Sequence, residues 1–118
     1  MSSPPKFDRI RRRSEFASIF ARGRSLADYA LVLYWRERTV GPPRVGFCVG
    51  KQLGKAVTRN RIKRLLRESW RVLAAEVEIP ADLVFVARRG GVCFSLAEWV
   101  ASMRGLLRRA KLLGEGNG

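Results

Sequence analysis

The spacing of apolar residues along the chain predicts a mixture of helices and strands. Apolar residues recur three or four positions apart in three segments, as they do on one face of a helix. We therefore predict helices over residues 14–22, 56–75 and 95–111. Apolar runs of strand length, separated by glycine and proline, predict strands over residues 30–35, 44–50 and 82–88. The sequence also allows a short extra strand near residues 24–28.

Residues typical of helix ends support these bounds. Ser14 is suited to cap the first helix, with Glu15 in its first turn, and Gly23 is suited to end it. Ser95 and Glu98 have the spacing of a capping box at the start of the last helix. The predicted order is α-β-β-α-β-α, which is typical of a small α+β fold, an α/β sandwich with helices against a mixed sheet.

The middle helix is predicted to have one apolar face and one basic face. At 100° per residue, its apolar face contains Ile62, Leu65, Leu66, Ser69, Val72 and Leu73. The stripe on the opposite side contains Asn60, Arg64, Arg67 and Arg71. Residues 51–71 include eight basic residues and a single acid, Glu68. Because like charges four residues apart repel each other, this pattern favours an anionic partner such as nucleic acid.

Length and composition bound the domain organisation. A chain of 118 residues fits one domain, and 47% apolar residues suffice for one small core. We predict a single domain over residues 14–113. A flexible basic arm over residues 1–13 is predicted to precede it, and a flexible tail over residues 114–118 to follow it.

Charge and absent residue types narrow the classes of function. Lys and Arg total 24 against 10 for Asp and Glu, and the net charge of +14 requires an anionic partner. The chain has no histidine, which removes the commonest general base and the commonest zinc ligand. The two cysteines form no CxxC motif, and we expect reduced thiols in a cytoplasmic protein. No apolar run approaches the ~20 residues of a membrane span, so we expect no membrane partner.

Residues 45–68 resemble the signature of the bacterial ribonuclease P protein subunit. The core of the match is Arg59-Asn60-Arg61-Ile62-Lys63-Arg64, followed by Arg67. Weaker matches occur in the family's order in the first helix, the early strand and the last strand, so the resemblance covers nearly the whole chain. It implies a ribosomal-protein-S5-domain-2-like fold. It also implies a left-handed βαβ crossover, whereas such connections are usually right-handed.

The resemblance implies an endoribonuclease subunit that supplies no catalytic residues itself. In this family the protein pairs with a catalytic RNA and promotes hydrolytic removal of the 5′ leader from precursor tRNA. The chemistry is carried by the RNA and by Mg²⁺ that is bound mainly by the RNA. The expected partners are therefore ribonuclease P RNA, with one protein per RNA, and the precursor tRNA leader.

The site residues implied by the resemblance fall into two groups. The residues expected to bind the catalytic RNA are Arg59, Asn60, Arg61, Lys63, Arg64, Arg67, Lys51, Lys55 and Arg71. The residues expected to line a cleft for the leader are Phe16, Phe20, Val32 and Tyr34. Flat aromatic rings stack on unpaired bases with little demand for sequence. Ordinary core packing is the alternative for the two phenylalanines.

Two other functions stay open on the residues alone. An RNA-binding module without catalysis, such as a ribosomal protein or an RNA chaperone, fits the charge and the size equally well. A membrane-surface protein would use helix 56–75 as a basic amphipathic helix. The three apolar strands argue against that second function, because they predict a packed fold that buries the helix's apolar face.

Overall fold

Five strands and three helices make up residues 8–114, the part of the chain that the computed structural model describes. The strands are β1 (Asp8–Arg9), β2 (Arg24–Ala27), β3 (Leu31–Glu37), β4 (Arg44–Cys48) and β5 (Ala81–Ala87). The helices are α1 (Arg13–Arg22), α2 (Ala56–Leu73) and α3 (Leu96–Arg109). Short 3₁₀ turns occupy Lys51–Leu53, Ala74–Glu76 and Arg89–Gly91.

The strands form one mixed sheet in the order β1-β4-β5-β3-β2. β4 is parallel to both β1 and β5, whereas β3 is antiparallel to both β5 and β2. α2 provides the crossover that a parallel pair such as β4 and β5 requires. This architecture confirms the predicted α+β sandwich, and the extra strand predicted near residues 24–28 is β2.

The two faces of the sheet carry separate cores, because side chains alternate along each strand. On one face, Leu31, Leu33 and Trp35 are buried under α2 and α3. The opposite face, called here the α1 face, holds a smaller buried cluster of Ile10, Ile19 and Val84. Its remaining apolar residues are only half-buried, so α1 leaves part of this face open.

The buried side of α2 is rotated slightly from the predicted one. Trp70 is fully buried, whereas Val72, predicted on the apolar face, is 52% exposed. The reason lies in the packing partner, since the Trp70 ring packs against Phe85 of the sheet with ring centroids 6.2 Å apart. Ile62, Leu66, Ser69 and Leu73 are buried as predicted. The Ser69 hydroxyl donates to the carbonyl of Leu65, so this buried polar group is satisfied within the helix.

The first helix starts earlier than the sequence predicts. α1 begins at Arg13, and its N-cap is Arg12 without a side-chain hydrogen bond, so the predicted Ser14 cap is wrong. Just before it, β1 pairs with β4, and Ile10, which donates its N–H to the carbonyl of Val45, is buried. Residues 8–10 therefore pair with the sheet rather than lying in the predicted arm, whose residues 1–7 fall outside the described part. The predicted tail falls outside it too, apart from Gly114.

Two predicted helix ends are confirmed, and both involve contacts within a few residues: the end of α1 and the start of α3. α1 ends at Gly23, where a Cβ atom would lie 2.6 Å from the carbonyl oxygen of Ile19 and 2.7 Å from that of Trp35. Only glycine permits this close approach. The predicted capping box of α3 is also confirmed. The Ser95 side chain accepts from the N–H of Glu98, and the Glu98 carboxylate accepts from the N–H of Ser95.

A buried acid ties α1 to the sheet through arginines. Asp82 on β5 is only 3% exposed, and its carboxylate lies 3.5 Å from guanidinium nitrogens of Arg36 and Arg44. Arg38 lies slightly farther away, at 3.8 Å. Arg44 also pairs with Glu15 of α1. These contacts occupy three arginines in holding the fold together.

Candidate nucleic-acid interface

The basic face of α2, defined here as Asn60, Arg64, Arg67 and Arg71, lies entirely on the surface. All four side chains are exposed, as their spacing of one residue per turn predicts. Arg71 lies 3.9 Å from the Glu68 carboxylate, but that pair is solvent-exposed and worth little. The arginines are therefore free to present their forked donors to an anion such as a phosphate.

The segment before α2 adds cations at the helix start. Lys51 lies in the 3₁₀ turn, Lys55 is the N-cap residue, and both are exposed. The first turn of α2 contains no acid, and no side chain caps it. Because helix N-termini carry partial positive charge, this end of α2 strengthens the positive potential of the basic face.

Two residues of the central motif also hold the fold locally. The half-buried Arg59 donates from Nε to the carbonyl of Gly54 at 3.1 Å, which closes the turn before the helix. Arg61 donates from its two terminal nitrogens to the carbonyls of Val92 and Phe94, at 3.1 and 3.2 Å. Arg61 thereby joins α2 to the turn that precedes α3, a contact that the sequence motif does not predict.

The aromatic cleft, defined here as Phe16, Phe20, Val32 and Tyr34, forms where α1 crosses the sheet. The Phe20 and Tyr34 rings meet edge to face with centroids 4.8 Å apart, and the Phe16 ring lies 6.4 Å from Phe20. Phe20 is 41% exposed, and the other three side chains are half-buried. The structure thus brings the three aromatic rings together, with Val32 two residues from Tyr34 on the same face of β3, and leaves ring surface open to a ligand.

The floor of the cleft depends on a glycine in β4. A Cβ atom at Gly46 would lie 2.6 Å from the Phe16 ring, so the absent side chain lets that ring lie directly on the sheet. Glycine within a strand often marks such a close approach, and here the approaching group is an aromatic ring.

Cys48 of β4 is affected by a charge on α2. Cys48 packs at the edge of the α1-face cluster. Burial raises the pKa of its thiol, and the nearby charge of Lys63 partly opposes that rise. The positive charge of Lys63, on α2, therefore acts on the thiol of Cys48 in β4.

The described surface offers cations and aromatic rings rather than metal ligands. Within residues 8–114, no three acidic or cysteine side chains come together in a way that could hold a metal ion. The residues of the basic face are cations and one amide, which do not fit a Mg²⁺ site built from oxygen anions. No helix in this range is both long and apolar enough to cross a membrane.

The sequence does not predict one contributor to the basic surface. Arg9 of β1 lines the same surface pockets as Lys63, Arg67 and Arg71. No local pattern reveals this, because residues 8–9 are too short a segment for a strand to be predicted. Their pairing with β4 is what brings Arg9 to α2.

Three comparisons show what this chain is similar to. The family model described as Ribonuclease P matches residues 5–111. A relative from Thermoanaerobacter sp. (strain X514), called ribonuclease P protein component, is 38% identical over 107 residues, covering 91% of this chain and 92% of its own. The relative of the same name from Symbiobacterium thermophilum is 41% identical over 106 residues, covering 89% and 92%.

Solved structures agree with the sequence relatives. The RNase P protein of Staphylococcus aureus superposes with a TM-score of 0.82 at 30% identity, covering 90% of this chain and 97% of its own. The RNase P protein from Thermotoga maritima superposes with a TM-score of 0.79 at 28% identity, covering 86% and 96%. Both likenesses extend over nearly the full length of either chain, so the whole fold is shared.

Proposed function

The chain belongs to the ribonuclease P protein family, and we propose that its basic face binds the catalytic RNA of that enzyme while its aromatic cleft binds the tRNA substrate. The family that the sequence motif resembles is thereby confirmed. The protein is a subunit of the endoribonuclease holoenzyme that processes tRNA 5′ ends. Family membership decides against a ribosomal protein or RNA chaperone. The burial of Ile62 and Leu66 leaves α2 no apolar face for a membrane surface.

The basic face of α2 binds the catalytic RNA in this proposal. The support is the exposure of all four residues and the line of three arginines along the helix, whose charge is offset only by the weak pair of Arg71 with Glu68. Binding neutralises phosphates and releases condensed counterions, and it relieves the repulsion among the arginines. Lys51, Lys55 and Lys63 add positive charge to this interface. Arg59 and Arg61 contribute charge while holding the local backbone.

The aromatic cleft takes the single-stranded 5′ leader of precursor tRNA. The observation that carries this part is the Phe20–Tyr34 pair, which holds rings edge to face and leaves Phe20 41% exposed. A ring fixed in this way loses little conformational freedom on stacking with a base. Stacking is worth roughly 1–3 kcal/mol per base and tolerates any sequence, as a leader of variable sequence requires.

The protein supplies binding rather than bond cleavage. We propose that Mg²⁺ provides its Lewis-acid chemistry at sites held mainly by the RNA, because the described cations do not fit a metal site. The protein's cations raise the local affinity for the phosphate-rich RNA, and the cleft holds the leader beside it. We further propose one protein per RNA and a cytoplasmic location, in keeping with the free thiols of Cys48 and Cys93.

The RNA interface is tested with a double variant of the reconstituted holoenzyme. Arg64→Gln with Arg67→Gln should reduce the slope of log affinity for ribonuclease P RNA against log salt by roughly 0.7–0.9 per lost contact. A matched control, Arg24→Gln with Arg108→Gln, removes the same charge from exposed residues of β2 and α3. Equal slopes in the two double variants would refute the assignment.

The cleft is tested with the same holoenzyme and two tRNAs. Tyr34→Ala should weaken binding of leader-bearing precursor tRNA by about 5–150-fold, the range equivalent to roughly 1–3 kcal/mol of stacking, and leave mature tRNA binding unchanged. Tyr34→Phe keeps the ring beside Phe20 and should bind both tRNAs as the wild type does. Equal losses for precursor and mature tRNA in Tyr34→Ala would contradict the cleft assignment.

A further inference from the structure

A pocket on the far side of the sheet from the aromatic cleft gathers basic residues from distant parts of the chain. Two adjoining depressions, with volumes of about 110 and 190 Å³, are lined by Arg9, Phe47, Lys63, Arg67, Trp70 and Arg71. We call these six residues the Arg9 pocket. Each depression is far larger than the roughly 10–15 Å³ that one water requires, so the pocket has room for a hydrated anion.

The position of Arg9 in this pocket is set by backbone pairing. Arg9 lies opposite Val45 in the register of β1 and β4, and the next residue, Ile10, donates its N–H to the Val45 carbonyl at 2.8 Å. The Ile10 side chain is only 4% exposed and anchors the strand from the α1 face. Arg9 is therefore held at the edge of the sheet, next to α2.

The floor of the pocket is aromatic and supported from beneath. Phe47 is half-buried, and its ring stacks on Phe85 with centroids 6.1 Å apart and planes 18° apart. Trp70 is fully buried and packs against the same Phe85 ring. Apolar walls exclude water from one side of the pocket and lower the local dielectric, which strengthens the attraction between its cations and an anion.

The charges around this floor are not balanced by the residues that line it. Four cations line the pocket, and none of its lining residues is an acid. The Glu68 pairing of Arg71, at 3.9 Å between exposed groups, offsets little of this charge. Arginines from β1 and α2 that line one space suit a phosphate, whose oxygens accept forked hydrogen bonds from several sides.

We propose that the Arg9 pocket binds one backbone phosphate of the catalytic RNA. This inference rests on the proposed function of α2 and extends that interface to a residue outside the matched motif. The pocket lies with the core beneath α2, whereas the aromatic cleft belongs to the cluster on the α1 face. The phosphate therefore comes from the RNA that covers α2 and not from the tRNA leader.

The first test compares two arginines of the same segment. Arg9→Gln should weaken binding of ribonuclease P RNA about fivefold at 0.15 M salt and lower the salt slope by roughly 0.7–0.9, as loss of one phosphate contact does. Arg11→Gln is the matched control, because Arg11 is exposed and lines neither depression. Equal losses in the two variants would mean that the segment attracts RNA only by its overall charge, and would overturn the proposal.

A double-mutant cycle tests whether the pocket acts as one site. Arg9→Gln combined with Arg67→Gln should weaken binding by less than the product of the two single losses, since both arginines contact one phosphate. If the double variant loses as much affinity as the product of the two single losses, the two arginines contact separate phosphates and the proposal of one shared site is refuted.

Arg64→Gln shows whether a negative result concerns only the proposed Arg9 pocket or the whole proposed RNA interface on α2. If Arg64→Gln lowers the salt slope and Arg9→Gln does not, the pocket proposal fails while the basic face of α2 stands. If neither variant changes the slope, both proposals fail. Binding of precursor tRNA to the preassembled holoenzyme should be unchanged in Arg9→Gln, and a selective loss there would assign the phosphate to the substrate instead.

Discussion

Arg61 and Arg64 allow the structural and electrostatic roles of the central motif to be separated. Both are exposed arginines on α2, three residues apart, and either can be replaced by glutamine. Arg61 donates two hydrogen bonds to the turn before α3, whereas no hydrogen bond or ion pair of Arg64 occurs within residues 8–114. We expect Arg61→Gln to destabilise the free protein and Arg64→Gln to leave its stability unchanged.

The size of the Arg61 effect follows from the contacts that are lost. Each intramolecular hydrogen bond contributes roughly 0.5–1.5 kcal/mol, so two bonds give about 1–3 kcal/mol. The contact is exposed, and water can replace the guanidinium at the two carbonyls, so the lower half of that range applies. An unfolding free energy lower by about 1–2 kcal/mol corresponds to a Tm lower by about 4–8 °C for a domain of this size.

The turn that Arg61 holds is otherwise fixed by aromatic packing. The Phe94 ring lies edge to face against Trp99, with centroids 5.2 Å apart, and Trp99 is fully buried in α3. Loss of the Arg61 contact should therefore loosen the turn without unfolding α3. The effect should be a shift of one cooperative transition rather than the appearance of a second one.

The assay is urea and thermal unfolding of the free protein, followed by RNA binding at several salt concentrations. Arg61→Lys keeps the charge but cannot span both carbonyls, so it should lose stability as Arg61→Gln does and keep the wild-type salt slope. Arg64→Gln should lower the slope and keep the wild-type Tm. Equal Tm values for Arg61→Gln and Arg64→Gln would refute the structural role of Arg61, and a wild-type salt slope in Arg64→Gln would refute its contact with phosphate.

Two further predictions concern packing. Gly46→Ala places a Cβ atom 2.6 Å from the Phe16 ring. It should lower the free energy of unfolding in urea by about 1–3 kcal/mol and weaken precursor tRNA binding. Wild-type affinity for precursor tRNA would contradict the role of Gly46 in positioning that ring. Leu66→Ala should cost about 2–5 kcal/mol because its side chain is fully buried, whereas Val72→Ala, at a position 52% exposed, should cost well under 1 kcal/mol. Similar costs at the two positions would mean that the buried face of α2 is misassigned.

The helices and most strands could be predicted because their signals are local. The repeat of apolar residues in α2, the capping box at Ser95 and Glu98, and the alternation in β5 each arise within a few residues. The exposure of Arg64, Arg67 and Arg71 could be predicted for the same reason, since one helical repeat places them all opposite the apolar face. The family resemblance rests on the same local signal, an ordered motif at one place in the chain.

Contacts between distant segments could not be predicted from sequence. The apolar side of α2 includes Trp70 rather than Val72 because Phe85 of the sheet lies beneath it, and periodicity alone does not identify that neighbour. The β1 strand is too short to carry a pattern and exists through its pairing with β4. Asp82 is a buried acid in an apolar strand, and it is accommodated because three arginines from β3, β4 and the loop between them approach it.

The sequence by itself therefore determined the fold class, the family and the composition of the basic face. These depend on residue type and spacing within single elements, where the backbone geometry of a helix or strand is already known. The tertiary structure alone decided that Arg61 holds the turn before α3 and that Arg9 joins the arginines of α2. Each of these contacts joins residues more than 30 positions apart, and chain folding rather than local spacing sets the distance between such residues.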